Sequence, residues 1–526
     1  MNTEFDLIVV GAGINGAGVA RDAAMRGLRV LLVDKGDVGG GTSAGSTRLI
    51  HGGLRYLEHF EFGLVRESLR ERETLLRIAP HLVRPLAMTI PIYKESRRGR
   101  ATIRAGMIAY ELLAWGKSLP RYRMHSAVET LRRLPGLKAE GLVGSAVYFD
   151  AQVEFAERLV LENVLAAAEN GATVRTYTTV TKLLTEEGEI KGVQLVTRPD
   201  QMDWARGKVV VNAAGPWVDQ LIDQKLIGGT KGSHVVVAPW EGAPEGAVYL
   251  EAVSDRRPFF VIPWNGNYLI GTTDVRFEGD PGEVRAEEWE VEYLLAETNR
   301  AFPMAGLSNE SVLYTYSGVR PLPFTKNEDE QSITRRHFLR EHPQFKNLVS
   351  VVGGKLTTYR SLAEECVDLI FRKLERPSPR CETARVPLPG AMETRSEFSL
   401  QAALTRGKLK LELRTSAANV SERWRRIYGS RVKQVAELAE QLKVESPLAA
   451  EVVFSFEKEF AKTLADCFLR RTMTGLNADL GLGELEAAAE VGRRWLGWTR
   501  ERAEAEVEHY KEEISRMTDD GLHHRH

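Results

Sequence analysis

The N-terminal segment of the chain has the sequence order of a dinucleotide-binding unit. An apolar run that predicts a buried strand leads into Gly11, Gly13 and Gly16 at GxGxxG spacing. These glycines provide a tight turn, close approach of the backbone to a pyrophosphate, and close contact between helix and strand. A second apolar run then leads to Asp34, where a carboxylate can accept a hydrogen bond from a ribose hydroxyl. We therefore expect a dinucleotide whose pyrophosphate lies at the helix N-terminus.

Three later glycine-rich segments favour a resident flavin over a diffusible nicotinamide. They are GGGTSAGSTRLIHGGLRYLE from Gly39 to Glu58, VVVNAAGPW from Val209 to Trp217, and VVGGKLTTYR from Val351 to Arg360. Small residues at the end of a strand let a backbone approach a ligand closely. A second helix N-terminus after residue 354 would stabilise the negative charge that a flavin gains on reduction.

We predict that the cofactor is FAD and that residues from all four segments contact it, together with two residues elsewhere. Beyond the three glycines and Asp34, the predicted cofactor-binding residues are Thr42, Ser43, Thr47, His51, Gly52, Gly53, Val180, Ala214, Gly215, Asp274, Gly353, Gly354, Leu356 and Thr357.

Seven motifs in a fixed order carry a resemblance to a known family. They are GAGINGAGVARDAA, STRLIHGGLRYLE, NAAGPWVD, KGSHVVV, GTTD, SGVRPL and GGKLTTYR, spread over about 350 residues. In these motifs the chain resembles the FAD-dependent glycerol-3-phosphate dehydrogenases, within the D-amino-acid-oxidase-like flavoproteins. The resemblance implies oxidation of sn-glycerol 3-phosphate to dihydroxyacetone phosphate, with electrons passed to a membrane quinone. It also implies a cytoplasmic protein attached peripherally to the inner face of the cell membrane.

Five residues are the candidates for the chemistry. Arg55 and Arg320 match the family's active-site arginines and are predicted to bind the substrate phosphate, which a guanidinium grips in two places. An arginine paired with a core carboxylate is the alternative for each. Lys355 is predicted to hold the alcohol oxygen or a flavin carbonyl. The Tyr56 hydroxyl is predicted to contact the phosphate or the alcohol.

The proton acceptor is predicted to be His234, in KGSHVVV, because an imidazole that titrates near neutral pH can take the alcohol proton. A lone histidine on an apolar strand is otherwise a satisfied core residue. His51 competes for the same role, although its position beside two glycines suits flavin contact better.

Composition excludes several other classes of protein. A formal net charge of -1 argues against nucleic-acid binding, and 43% hydrophobic with 27% charged residues indicate a soluble folded chain. The three cysteines, Cys366, Cys381 and Cys467, are too few and too widely spaced for a disulfide framework or a CxxC site. We expect no metal, because no EF-hand loop occurs and the closing HHRH is typical of a solvated tail.

The expected fold class is α/β, with a Rossmann-like FAD-binding domain of the glutathione-reductase/D-amino-acid-oxidase type. We place this discontinuous domain at 1–376, with an inserted antiparallel substrate sheet around 221–320. A Pro-rich linker at 377–395 would precede a C-terminal helical domain at 396–520. We expect that domain to act as a cap or as the surface of a homodimer, rather than in catalysis.

A basic and apolar segment from Lys94 to Arg123 is the candidate for membrane contact. Arginines precede and follow a stretch that contains Met107, Ile108 and Trp115. A helix of this kind can lie in the headgroup layer of an anionic membrane, or can pack its apolar face on its own core. No apolar run approaches the roughly 18 residues needed to span a bilayer, and we expect no signal peptide.

Three other functions stay open at this point. One is a glycerol-3-phosphate oxidase that passes electrons to oxygen, although the motif spacing does not obviously accommodate the insertion that family oxidases tend to carry. The second is an amino-acid oxidase or dehydrogenase on the same fold. The third is a flavin-bearing binding or regulatory protein without turnover.

Overall fold

The computed structural model describes residues 4–58, 60–198, 201–222, 224–325, 335–392, 417–443 and 446–518. The closing HHRH, the last residues of the expected linker and the first twenty or so of the expected helical domain lie outside the described residues.

The strands are β1 Glu4–Val10, β2 Val30–Val33, β3 Leu49–Ile50, β4 Val83–Tyr93, β5 Arg123–Ser126, β6 Leu142–Val153, β7 Thr173–Arg175, β8 Thr179–Glu186, β9 Glu189–Arg198, β10 Gln201–Asn212, β11 Thr230–Val237, β12 Ala247–Glu251, β13 Pro258–Trp264, β14 Asn267–Gly271, β15 Val275–Arg276, β16 Val312–Arg320, β17 Phe338–His342 and β18 Phe345–Val352. The helices are α1 Ile14–Met25, α2 Phe62–Ile78, α3 Arg100–Leu113, α4 Ala127–Arg133, α5 Ala156–Glu169, α6 Glu288–Ala301, α7 Tyr359–Lys373, α8 Ala417–Tyr428, α9 Val432–Leu442, α10 Pro447–Lys458, α11 Leu464–Arg470, α12 Leu482–Trp495 and α13 Arg500–Ser515.

The first sheet is the dinucleotide-binding sheet. Its strand order is β17-β18-β10-β1-β2-β7, with β9 paired to β10 and β8 to β9. β1 lies parallel to β2 and β10, and β10 lies parallel to β18. Helices α1, α5 and α7 share one buried apolar core with this sheet. Strands from both ends of the first 370 residues therefore meet side by side in one sheet, and the expected α/β class is confirmed.

The second sheet is larger than the sequence analysis expected. It has ten strands in the order β15-β11-β14-β13-β12-β4-β6-β3, with β16 paired to β11 and β5 to β6. The range 221–320 thus covers only part of it, because β3 to β6 come from residues 49–153. Pro85 and Pro91 lie within β4, and prolines inside a run argue against a strand in sequence. Both prolines lie opposite residues of β6, and neither lies in the short pairing of β4 with β12, which covers only Met88 and Thr89.

The C-terminal region is helical over its described residues, as expected. Its helices α8 to α13 form a core that is continuous with the second sheet. The described part of the linker is docked rather than free: Leu388 is fully buried, and its N–H donates to the Ile78 carbonyl at 2.9 Å. Arg21 of α1 donates to the Val386 carbonyl at 2.7 Å. The linker therefore fastens the helical region to the dinucleotide-binding domain.

The basic segment forms α3 with two different faces. Met107 and Tyr110 are buried in the core, whereas Ile108, Leu112 and Trp115 are exposed, Trp115 to 90%. Among the described residues, no helix combines the length and the hydropathy that crossing a bilayer requires.

Candidate active site

A cavity of about 750 Å³ runs from the glycine turn after β1 to the second sheet. Both sheets, the loop after β2 and the C-terminal helices line it. Because its walls come from segments far apart in sequence, the cavity exists only in the folded chain.

The glycine turn packs so closely against neighbouring backbone that it has no room for side chains at two of its glycines. Gly11 has a φ of +102°, and a Cβ there would lie 2.6 Å from the Ala213 carbonyl oxygen. A Cβ on Gly16 would lie 1.9 Å from the Gly11 carbonyl oxygen. Gly13 precedes the first turn of α1, whose Ile14 N–H donates to the Ser43 hydroxyl at 3.0 Å. The N-terminus of α1 lies at the cavity wall, and its positive dipole end fits a pyrophosphate.

Asp34 directly follows β2 and shapes the turn. Its carboxylate accepts from the Ala12 N–H at 2.6 Å and from the Gly36 N–H at 2.8 Å. Burial raises the pKa of Asp34, while these two hydrogen bonds oppose the rise. Both oxygens therefore hold backbone at the cavity wall in addition to any contact with a ribose.

Most predicted cofactor residues lie together on the cavity wall. They are Gly11, Gly13, Asp34, Thr42, Ser43, Thr47, His51, Gly53, Val180, Ala214, Gly215, Asp274, Gly353, Gly354, Leu356 and Thr357. Of the two others, Gly16 provides the close contact described above. Gly52 is turned away from the cavity, because its N–H donates to the Tyr110 hydroxyl at 3.0 Å and a Cβ there would meet that oxygen at 2.4 Å. Its small size serves the packing of α3.

Arg320 forms an ion pair with Asp274. An arginine paired with a carboxylate is the alternative that the sequence left open. Arg320 Nη1 lies 3.0 Å from Asp274 Oδ1, and Arg320 Nη2 donates to the Thr272 hydroxyl at 3.0 Å. Asp274 Oδ2 also accepts from Arg335 at 3.0 Å. Although burial raises the pKa of Asp274, the two guanidiniums bring it below its ordinary value. Asp274 thus holds two arginines at the wall of the cavity.

Arg335 lines the cavity and is not among the site residues predicted from the sequence. Its Nη1 atom is buried and has no hydrogen-bond partner among the described residues, and its side chain is 16% exposed. It lies in TRRHF, which belongs to none of the recognised motifs. The only signal in the sequence is a pair of arginines shortly before an apolar strand, which is too common to single out.

Lys355, Tyr56 and Arg55 line the same end of the cavity. The Lys355 ammonium lies 3.8 Å from the centre of the Tyr56 ring. Burial lowers the pKa of Lys355 to about 7. The amine is therefore close to half protonated at neutral pH, and an anion beside it would favour its charged form.

The two histidines occupy different places. His51 lines the cavity, and burial lowers its pKa to about 4. His234 is buried and is not among the cavity-lining residues; its ring stacks on Tyr316 at 4.8 Å, and its Nε2 lies 2.9 Å from the Thr47 hydroxyl. Burial, with the charge of Arg320, lowers the pKa of His234 well below 6.5. The residue that contacts the cavity is Thr47, with His234 behind it.

Comparison with known proteins places this chain in a family. Residues 6–369 match the family described as FAD dependent oxidoreductase, and residues 381–503 match the C-terminal domain of alpha-glycerophosphate oxidase. The chain therefore belongs to the FAD-dependent oxidoreductases, and its cofactor is FAD. The cavity fits this cofactor, because its wall combines Gly11, Gly13 and the first residues of α1 with the carboxylate of Asp34.

Individual relatives are similar over nearly the whole chain. A protein named glycerol-3-phosphate dehydrogenase from Synechocystis sp. is 45% identical, with 97% of this chain and 96% of the relative covered. One named aerobic glycerol-3-phosphate dehydrogenase from Staphylococcus aureus is 31% identical, with 99% and 96% covered. The solved glycerol-3-phosphate dehydrogenase from Bacillus halodurans complexed with FAD has a TM-score of 0.79 at 29% identity, with 98% and 96% covered. These similarities confirm the fold class and the family resemblance.

Proposed function

We propose that this FAD-dependent oxidoreductase oxidises sn-glycerol 3-phosphate to dihydroxyacetone phosphate. The observation that carries the proposal is the pair of arginines, Arg320 and Arg335, held by Asp274 at the cavity wall. The names of the relatives support the same substrate. Two guanidiniums that share one carboxylate keep a net positive charge, which attracts a phosphate dianion.

Arg335 is the primary phosphate donor in this proposal. Its buried Nη1 needs an acceptor, and leaving such a donor unsatisfied costs about 1–3 kcal/mol. The Arg320 guanidinium already binds Asp274 and Thr272, so it has fewer donors left for the phosphate. Its proposed role is to fix the orientation of the two arginines. Arg55 and Tyr56 approach from the loop after β3 and close the site around the substrate.

His51 is the proposed proton acceptor, in preference to His234. The alcohol gives up one proton and one hydride, and FAD when bound supplies the hydride acceptor. His51 is uncharged at neutral pH and lines the cavity, so its ring can receive the proton directly. Lys355 in its charged form stabilises the negative charge that develops on the alcohol oxygen.

A membrane quinone is the proposed electron acceptor, and one surface suits contact with a membrane. We define the apolar patch as the exposed residues Phe60, Phe62, Ile108, Leu112 and Trp115. Phe60 and Phe62 flank Glu61, which lines the cavity together with Tyr56. The Phe60 and Phe62 part of the patch is therefore next in sequence to a residue that lines the cofactor cavity.

Charges around the patch suit the headgroups of an anionic inner leaflet. Arg97, Arg100 and Arg104 are exposed at the start of α3, whereas Arg98 is paired with Glu58 and Glu251. Apolar side chains beside exposed cations are typical of interfacial helices. This arrangement supports peripheral attachment to the inner face of the cell membrane.

The function is tested by anaerobic stopped-flow absorbance of the flavin. We expect sn-glycerol 3-phosphate to bleach the bound flavin rapidly, and a soluble quinone to restore the colour much faster than oxygen does. Fast recovery with oxygen would instead identify an oxidase. If this substrate does not bleach the flavin, the proposal is overturned, whether or not an amino acid bleaches it.

A further inference from the structure

Two arginines of the C-terminal helical region hold a carboxylate that belongs to the dinucleotide loop. Asp37 lies three residues after Asp34 and is buried. Arg471 binds it with both terminal nitrogens, at 2.7 and 2.6 Å, and Arg470 Nε binds it at 2.5 Å. Although burial opposes ionisation, these charges bring the pKa of Asp37 below its ordinary value. The interaction joins residues more than 430 positions apart.

The held loop is connected directly to the glycine turn. The Gly39 N–H donates to the Ala12 carbonyl at 3.0 Å, and the Ala12 N–H donates to Asp34 at 2.6 Å. Gly40 lies against Arg470, since a Cβ there would be 4.0 Å from Arg470 Nε. A shift of Asp37 would therefore move the backbone that surrounds the pyrophosphate and ribose.

The same helical region also supplies part of the cavity wall. Ala465 and Arg470 of α11 line the cavity, as do His509 and Glu513 of α13. A third link runs through Asp466, which accepts from Arg470 at 2.7 Å and from the Tyr177 hydroxyl at 2.5 Å. Tyr177 itself lines the cavity. The wall at this end is thus incomplete without the C-terminal helices.

We propose that the C-terminal helical region is a component of the FAD site. Arg470 and Arg471 are positioning residues that act through Asp37 to hold the loop at the adenosine end of the cofactor, and α11 and α13 close that end. The role goes beyond capping or dimer formation, because it makes retention of FAD depend on docking of these helices. Binding and docking stabilise one another, since any ligand that prefers the docked state favours it.

The burial of the Asp37–Arg471 pair explains why loss of one arginine should weaken the binding of FAD. Asp37 and Arg471 have side-chain exposures of 1% and 0%. Removing one partner from such a pair leaves a buried charge poorly compensated, and the loop can relieve this only by moving towards water. Because Arg471 remains in place, an Arg470 variant weakens the link without abolishing it.

The test measures release of FAD rather than turnover. The holoenzyme is diluted into buffer without FAD, and the rise of free-flavin fluorescence gives the dissociation rate. We expect Arg470→Met to release FAD at least tenfold faster than the unchanged protein. Arg470→Lys, which keeps a charge near Asp37, should recover part of the difference. Tyr177→Phe, which removes only the hydroxyl that contacts Asp466, should give a smaller increase and serves if Arg470→Met does not fold.

The matched control is Arg423→Met, which breaks an ion pair with Glu451 and a hydrogen bond to the Thr472 carbonyl, both inside the helical region. Arg423 does not line the cavity, so this variant should lower thermal stability but change FAD release less than twofold. Equal release rates from the Arg470 and Arg423 variants would overturn the proposal, as would unchanged release from Arg470→Met. Because no substrate is used, these outcomes are independent of whether glycerol 3-phosphate is the substrate.

Discussion

The Thr47 hydroxyl lies 2.9 Å from Nε2 of His234, which places the imidazole behind a residue that lines the cavity. His234 Nδ1 is buried and has no hydrogen-bond partner among the described residues. We propose that a histidine in this position orients Thr47 and does not contact the substrate directly. His234 differs in this respect from His51, which lies at the cavity wall.

We therefore expect the two histidines to respond differently to substitution. His51→Asn should slow flavin reduction by about 100-fold or more, the usual contribution of general base catalysis. His234→Asn should slow it less than tenfold, because only the orientation of Thr47 changes. Single-turnover stopped-flow reduction measures both. A larger loss in His234→Asn than in His51→Asn would restore His234 as the proton acceptor.

Replacement of Arg335 should affect binding of the phosphate alone. Arg335→Met should weaken sn-glycerol 3-phosphate binding by about 10- to 100-fold, since a hydrogen bond to a charged group is worth about 1.5–3 kcal/mol. Binding of glycerol should change less than twofold. The neighbouring Arg336 is exposed, and Arg336→Met is the matched control. Equal losses for glycerol and its phosphate would contradict the assigned role.

The lowered pKa of Lys355 predicts that the activity depends on pH near neutrality. Burial lowers its pKa to about 7, so the ammonium is lost as the pH rises through this value. If the charged form stabilises the alcohol oxygen, kcat/KM should fall above about pH 7. Lys355→Arg keeps its charge at all relevant pH values, and its profile should lack this fall. A profile that keeps the fall in Lys355→Arg would assign it to another group.

The same pKa predicts the pH dependence of stability. The unfolded chain keeps the Lys355 proton up to about pH 10.4, whereas the folded chain loses it near 7. The unfolded state therefore binds more protons between these values, and the free energy of unfolding should rise with pH across this interval. Urea unfolding of the unchanged protein and of Lys355→Met would measure this contribution as the difference in slope.

Two glycine substitutions should have opposite effects. Gly16→Ala would place a Cβ 1.9 Å from a backbone oxygen, so we expect loss of FAD binding and a lowered melting temperature. Gly106 lies within α3 with no atom within 4 Å of a built Cβ. Gly106→Ala should stabilise the protein by up to about 1 kcal/mol through helix propensity. Thermal unfolding and flavin content of the purified variants test both expectations.

The apolar patch should carry attachment to membranes. Replacing Leu112 and Trp115 together by serine should reduce binding to vesicles that contain anionic lipid by tenfold or more, because both side chains are exposed. Flavin reduction by substrate in solution should not change. Val128 is a comparably exposed apolar residue on α4, and Val128→Ser is the control. Vesicle binding that persists in the double variant would place the attachment surface elsewhere.

The sequence by itself determined the dinucleotide unit and the residues close to it. Gly11, Gly13 and Gly16 act within one strand–turn–helix segment, so their spacing encodes their geometry. Residues of the later glycine-rich segments also line the cavity, and two of these segments contain the end of a strand, β10 or β18. Local spacing was sufficient wherever function depends on local backbone shape.

Only the tertiary structure decided which charged groups meet. The pairing of Asp274 with both Arg320 and Arg335, and of Asp37 with Arg471, depends on strands and helices far apart in sequence. The strand β4 was also decided by tertiary structure, because its prolines argue against a strand in the sequence and its pairing with neighbouring strands shows one. A side chain's type is fixed by the sequence, but its partner, its burial and hence its charge state arise from packing between distant segments.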